Sequence, residues 1–173
     1  MKNKINISTT KLLFVVLLAL FVDVSGFAQT NAIYNLTENS ATSVNARVAT
    51  PSITRYPTSL LYDLQPSIYV EQNAIINVNG IKSPKVLKMK DTQSFELVKT
   101  RNQLYKDIEM ITINLKTVSD LSRTFDVDSI RGFNHLKYIY LKSDFPLTVN
   151  QIREFILNAD PEINIFYKNL DRS

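Results

Sequence analysis

I-R-G-F-N-H-L-K-Y-I-Y-L-K-S-D, residues Ile130 to Asp144, decides the reading of the fold. Its apolar residues fall at Ile130, Phe133, Leu136, Ile139 and Leu141, in steps of three that give way to a step of two. A three-residue step suits a turn or short helix, whereas a two-residue step suits a strand, because side chains alternate across a pleated backbone. The segment therefore predicts a connector that feeds a strand at Lys137 to Lys142.

The same unit recurs on either side. Strand-like segments begin at Val86, Ile108, Leu136 and Ile163, at intervals of 22, 28 and 27 residues. Each interval holds a helix-like connector. Thr92 to Tyr105 carries Phe95, Leu97, Val98 and Leu104 behind Asp91 and Thr92 as N-caps; Ser119 to Phe133 is broken near Asp126. Thr148 to Asn158 places Val149, Ile152, Phe155 and Ile156 at helical spacing behind Thr148 as N-cap, and stops before Asp160-Pro161. Connectors this short imply parallel neighbouring strands joined by right-handed crossovers. Upstream, Ile68 to Val70 and Ala74 to Val78 are β-branched runs across a polar turn, followed by Asn79-Gly80, a pair suited to tight turns. The expected fold class is α/β over 66–173, with short parallel-strand and helix units preceded by a small β-hairpin or meander.

Leu136-x-x-Ile139-x-Leu141-x-x-Asp144 resembles the strand signature of leucine-rich repeats, L-x-x-L-x-L-x-x-N. Ile108-x-x-Ile111-x-Ile113 repeats the heart of it one interval earlier, and Ile163-x-x-Phe166 gives a partial third copy. The likeness covers about Val86 to Asp171, with Asp144, Lys116 and Asp171 where that family places Asn. It implies a solenoid whose open strand face binds partners. The residues leave room for a second architecture, a compact α/β domain whose parallel strands recur without repeat descent.

Alternation sorts the strand residues by face under either architecture. With Ile111, Ile113, Ile139 and Leu141 inward, Met110, Thr112, Asn114, Tyr138, Tyr140 and Lys142 point outward. Taking Phe166 as inward adds Ile165, Tyr167 and Asn169 to the outward set. Tyrosine offers an apolar ring with a hydroxyl at modest entropic cost, which suits a binding surface. Such a face is open to a partner, or covered by the hairpin or by the chain's own spacer, or its aromatic residues only stabilise the sheet as cross-strand pairs.

The amino terminus speaks to compartment. Lys2, Lys4 and Lys11 precede an apolar run, Leu12 to Val22, and the small-residue pattern Gly26-Phe27-Ala28, the order of a secretory signal peptide over 1–28. As a helix the eleven-residue run would reach ~16 Å, short of the ~30 Å of a bilayer core, so removal after Ala28 is expected and no stable membrane span remains. Residues 29–65 are rich in Asn, Thr, Ser and Ala with isolated apolar residues, the composition of a flexible spacer. Leu60, Leu61, Tyr62 and Leu64 mark where that spacer first docks. The chain has no cysteine, so its core must suffice without disulfides. Of its 20 Lys and Arg the leader holds three, and of its 16 Asp and Glu one, leaving 17 against 15. That balance argues for no nucleic acid or anionic membrane partner.

Reactive constellations are sparse. His135 is the single histidine and cannot complete a zinc set or a nucleophile pair without cysteine. Asp126 and Asp128 lack the downstream glutamate of a calcium loop and suit helix capping instead. Three glycines leave no phosphate-cradling loop, and no cofactor is expected. The residues therefore point to an exported, non-catalytic interaction module of the periplasm, cell surface or extracellular space, taking a protein or other envelope macromolecule on its strand face. Two other classes stay open: a small envelope hydrolase using Glu109, Asp144, Glu154 or His135, and a structural envelope component.

Overall fold

The computed structural model describes residues 31–37, 40–43 and 57–169. The leader, much of the spacer and Asp171 lie outside the described residues. In chain order the elements are β1 (Ile33–Thr37), β2 (Ser40–Ser43), α1 (Thr58–Tyr62), β3 (Ser67–Glu71), β4 (Ala74–Asn79), β5 (Val86–Met89) and β6 (Met110–Leu115). After these come β7 (Phe125–Asp126), β8 (Tyr138–Ser143), α2 (Val149–Phe155), β9 (Ile156–Leu157) and β10 (Asn164–Asn169). Eight strands form one mixed sheet in the order β2-β1-β10-β8-β6-β5-β3-β4. Every inner pairing is parallel, and the antiparallel hairpins with β2 and β4 form the two edges. The protein is thus α/β with a mostly parallel sheet and few helices.

Strands β3, β5, β6, β8 and β10 cross the sheet in chain order. Their register explains why the core is so dry. Ile68, Leu87, Ile111, Ile139, Ile165 and Ile33 stand side by side on successive strands as one row. A second row runs Val70, Met89, Ile113, Leu141 and Tyr167. All eleven are buried, none more than 5% exposed. Neighbouring strands lie about 4.8 Å apart, so branched side chains at matched levels leave no room for water between them.

The connectors close this face from behind. Phe95, Phe125 and Phe155, one from each connector, meet beneath the sheet, with Phe95 centred 4.9 Å from Phe125 and 6.0 Å from Phe155 in tilted pairs. β7 and β9 pair in parallel as a small second sheet that ties two connectors together.

The expected helices survive in only one connector. α2 starts where predicted, with Thr148 Oγ1 accepting from Gln151 N and Gln151 Oε1 accepting from Thr148 N, a reciprocal capping box. The connector expected as a helix over Thr92 to Tyr105 is three short 3₁₀ turns, Gln93–Phe95, Leu97–Lys99 and Gln103–Tyr105. The next holds the 3₁₀ turns Val118–Ser122 and Val127–Ser129 on either side of β7. Phe95 and Val98, and again Tyr105 and Ile108, are buried three residues apart, a spacing that 3₁₀ turns satisfy as well as an α-helix does. Asp91 does cap the first turn, accepting from Ser94 N at 2.9 Å, while its other oxygen accepts from Gln72 N at 2.7 Å.

Gln72 and Asn73, both at positive φ, make the hairpin turn between β3 and β4. Asn79-Gly80 instead ends β4, where Gly80 has φ +101° and a Cβ would stand 2.8 Å from Pro66 Cβ.

Three elements of the segment expected to be spacer, β1, β2 and α1, belong to the fold. β1 pairs with β10 and buries Ile33 and Leu36. α1 sets Leu60 and Leu61 against the opposite face of the sheet from the main core.

Candidate functional site

The face turned away from the connectors carries most of the residues the sequence singled out. Alternation puts Val86, Met110, Tyr138 and Asn164 in a first row and Tyr69, Lys88, Thr112, Tyr140, Phe166 and Tyr34 in a second. Asn114, Lys142 and Lys168 form a third at the carboxyl ends of the strands. Met110, Thr112, Asn114, Tyr138, Tyr140 and Lys142 thus share one face, as expected.

Ile165 and Tyr167 do not. Both sit among the main core residues, and Phe166 takes the outward place beside Tyr140. The expectation that Phe166 points inward is therefore corrected. β10 offers apolar residues to both sides, so its sequence carries no alternation from which to choose a face.

The face is partly covered. Leu36, Val86, Met110, Tyr140 and Phe166 form a buried apolar cluster, with Leu60 and Leu61 of α1 packed against it beside Tyr34 and Tyr138. Phe166 stacks on Tyr34 at 5.1 Å and meets Tyr138 at 6.0 Å. Of the expected contact residues, Met110, Thr112 and Tyr140 are buried beneath this layer. Burial, with Tyr62 nearby, pushes the Tyr140 hydroxyl up to about 12. Asn114, Tyr138 and Lys142 remain half-exposed.

The uncovered part is basic. Lys88 Nζ lies 5.1 Å from the Tyr69 ring centre and 3.3 Å from its hydroxyl, and Lys142 Nζ lies 5.6 Å from the centre of the Tyr140 ring. Burial, then the positive charges of Lys88 and Lys168, hold the Lys142 ammonium below its ordinary range. Glu71 is paired with Lys90 at 3.2 Å. Among the described residues no ion pair reaches Lys88, Lys142 or Lys168. The near balance of charge in the whole chain gave no hint of this. Lysine at matched levels of β8 and β10 was the available signal, obscured by the wrong facing of β10.

The hydrolase residues are scattered. Glu109, just before β6, holds Lys85 at 2.8 Å and Lys137 at 3.3 Å, and the Lys85 hydrogen bond in particular keeps its carboxyl below the ordinary range. Asp144 follows β8, at the other end of the strands, about 20 Å away for six residues of strand. Glu154 is exposed on α2 and His135 is exposed before β8. Among the described residues no three His, Asp or Glu side chains come together as a metal set, and no helix is long and apolar enough to cross a membrane. A cavity of about 430 Å³ lies among the connectors, lined by Arg101, Asn102, Gln103, Lys106, Gly132 and Asn134, and none of those four residues lines it. No protein family, curated protein or solved structure matches the chain.

Proposed function

We propose that the chain is an exported, non-catalytic binding module that holds a protein or other envelope macromolecule on its strand face, in an arrangement of the leucine-rich-repeat kind. The observation that carries this reading is the asymmetry of the sheet. One face is sealed by the connectors, while the other leaves Tyr69, Lys88, Asn114, Tyr138, Lys142 and Lys168 half-exposed. The chain-order crossing of the parallel strands supports the repeat-like arrangement, as does the return of one strand and one connector in each unit. Parallel register lines up these side chains across neighbouring strands, so a ligand can meet several at once without ordering a loop. Scattered carboxylates and an isolated histidine favour binding over hydrolysis.

Photo-crosslinking amino acids placed at Asn114 and Tyr138, and at the connector position Gln93, test this in the producing cell. The reading requires the two face positions to capture the same species and Gln93 to miss it. Capture at Gln93 with none at the face would overturn it.

A further inference from the structure

We propose that the macromolecule held on this face is an acidic polysaccharide, whose charged groups are seated by Lys88, Lys142 and Lys168; this rests on the strand face being the binding surface. Lys142 and Lys168 are direct neighbours across β8 and β10, one strand spacing apart. Lys88 stands on β5, one level lower and on the far side of β6. Like charges held this close repel, and among the described residues no ion pair joins Lys88, Lys142 or Lys168 to a carboxylate. Glu71, a glutamate on this face, is taken up by Lys90. An anionic ligand supplies what the fold omits.

The surrounding chemistry selects among polyanions. Every arginine among the described residues lies in a connector or in α2, so among the described residues the positive charge of this face is carried by lysine. Protein interfaces favour arginine and are depleted in lysine. Single-stranded nucleic acid requires open aromatic rings on which bases stack. Here the Tyr69 and Tyr140 rings are occupied by the Lys88 and Lys142 ammonium groups, Tyr140 is buried and Tyr34 is stacked on Phe166, which leaves Tyr138 half-exposed rather than a run of open rings. Neutral groups that suit sugar hydroxyls remain beside the lysines: the Asn114 amide and the Tyr69 hydroxyl, with Asn77 on the adjoining strand. An open face with spaced charges gains affinity from a repeating ligand, because each further contact forms at high effective concentration.

The test uses the full-length chain and four immobilised probes: polygalacturonate, dextran sulfate, neutral dextran and poly-glutamate. Retention is expected on the two acidic polysaccharides and on neither of the others. Lys88→Met, Lys142→Met and Lys168→Met should each weaken it about tenfold, the value of one charge-assisted contact. Replacing exposed Lys82, Lys99 and Lys106 together should leave it within about twofold, since charges beyond a Debye length are screened. Thermal melting confirms that each variant is folded. Equal loss in the two sets, equal retention on poly-glutamate, or no retention on either acidic polysaccharide overturns the proposal. If crosslinking from Asn114 and Tyr138 still succeeds in that event, the face remains the binding surface and the ligand class alone is wrong.

Discussion

Tyr140→Phe should flatten the alkaline limb of the stability curve. Tyr140 is 7% exposed beneath Leu60 and Leu61, and its hydroxyl ionises at about 12 in the folded protein. Unfolded tyrosine ionises near 10. The folded state therefore holds this proton more tightly, and its contribution to stability is complete below about pH 10 and is lost as pH rises toward 12. Linkage between those two values predicts a loss of about 1 kcal/mol at pH 11 and about 2 kcal/mol at pH 11.5. Urea unfolding of the wild type and the variant at pH 9 and pH 11 measures this as a difference of differences, which cancels the other tyrosines. Replacing Leu60 and Leu61 by Ser should shrink the same quantity, because the cover that dries Tyr140 would be loosened. If Tyr140→Phe loses as much stability as the wild type between pH 9 and pH 11, α1 does not desolvate the strand face and the account of its covering is wrong.

Tyr105 is fully buried and its hydroxyl has no partner among the described residues, so Tyr105→Phe should stabilise the protein by about 1 kcal/mol, read as a raised urea midpoint at unchanged slope. Phe95→Ala empties the centre of the three-phenylalanine layer and should cost about 3–5 kcal/mol, a fall in melting temperature large enough to expose any misplacement of that side chain. Glu109 has a lowered pKa, so its contribution is present above the ordinary carboxylate range and is lost as pH falls through its own value. Glu109→Gln should accordingly lower stability at pH 7 and reduce its change between pH 6 and pH 3; an unchanged acid limb would mean that the Lys85 and Lys137 contacts are not held in solution.

The parallel strands were legible because their cores are β-branched and alternate. β6 and β8 begin within two residues of the expected starts, and the aliphatic levels Ile111, Ile139 and Ile113, Leu141 are those the pattern indicates. β10 was legible as a strand but not in its facing, since Ile163, Ile165, Phe166 and Tyr167 are all buried and hydrophobicity cannot distinguish two buried faces. β1 was hidden for another reason. I-Y-N-L-T has no periodicity of its own among Asn and Thr, and gains its burial only from pairing with β10 at the other end of the chain. The connectors were misread because a three-residue step fits both a sparse α-helix and a 3₁₀ turn, and only the closeness of the sheet beneath them decides. The lysine cluster was invisible to net charge, which averages over the surface that tertiary structure divides.

The pairing of β1 with β10 also sets an order on biosynthesis. More than a hundred residues separate Thr37 from Asn164. At translation rates of ~5–20 residues per second, β1 waits roughly 6 to 25 s for its partner to be made. During that interval β3 to β8 can already pair in chain order through local contacts, whereas Ile33 and Leu36 have no place to go. The sheet therefore grows from the β3 end and is completed last by the β1–β2 hairpin, a slow, non-local closure that leaves the edge of β1 that meets β10 unpaired until then.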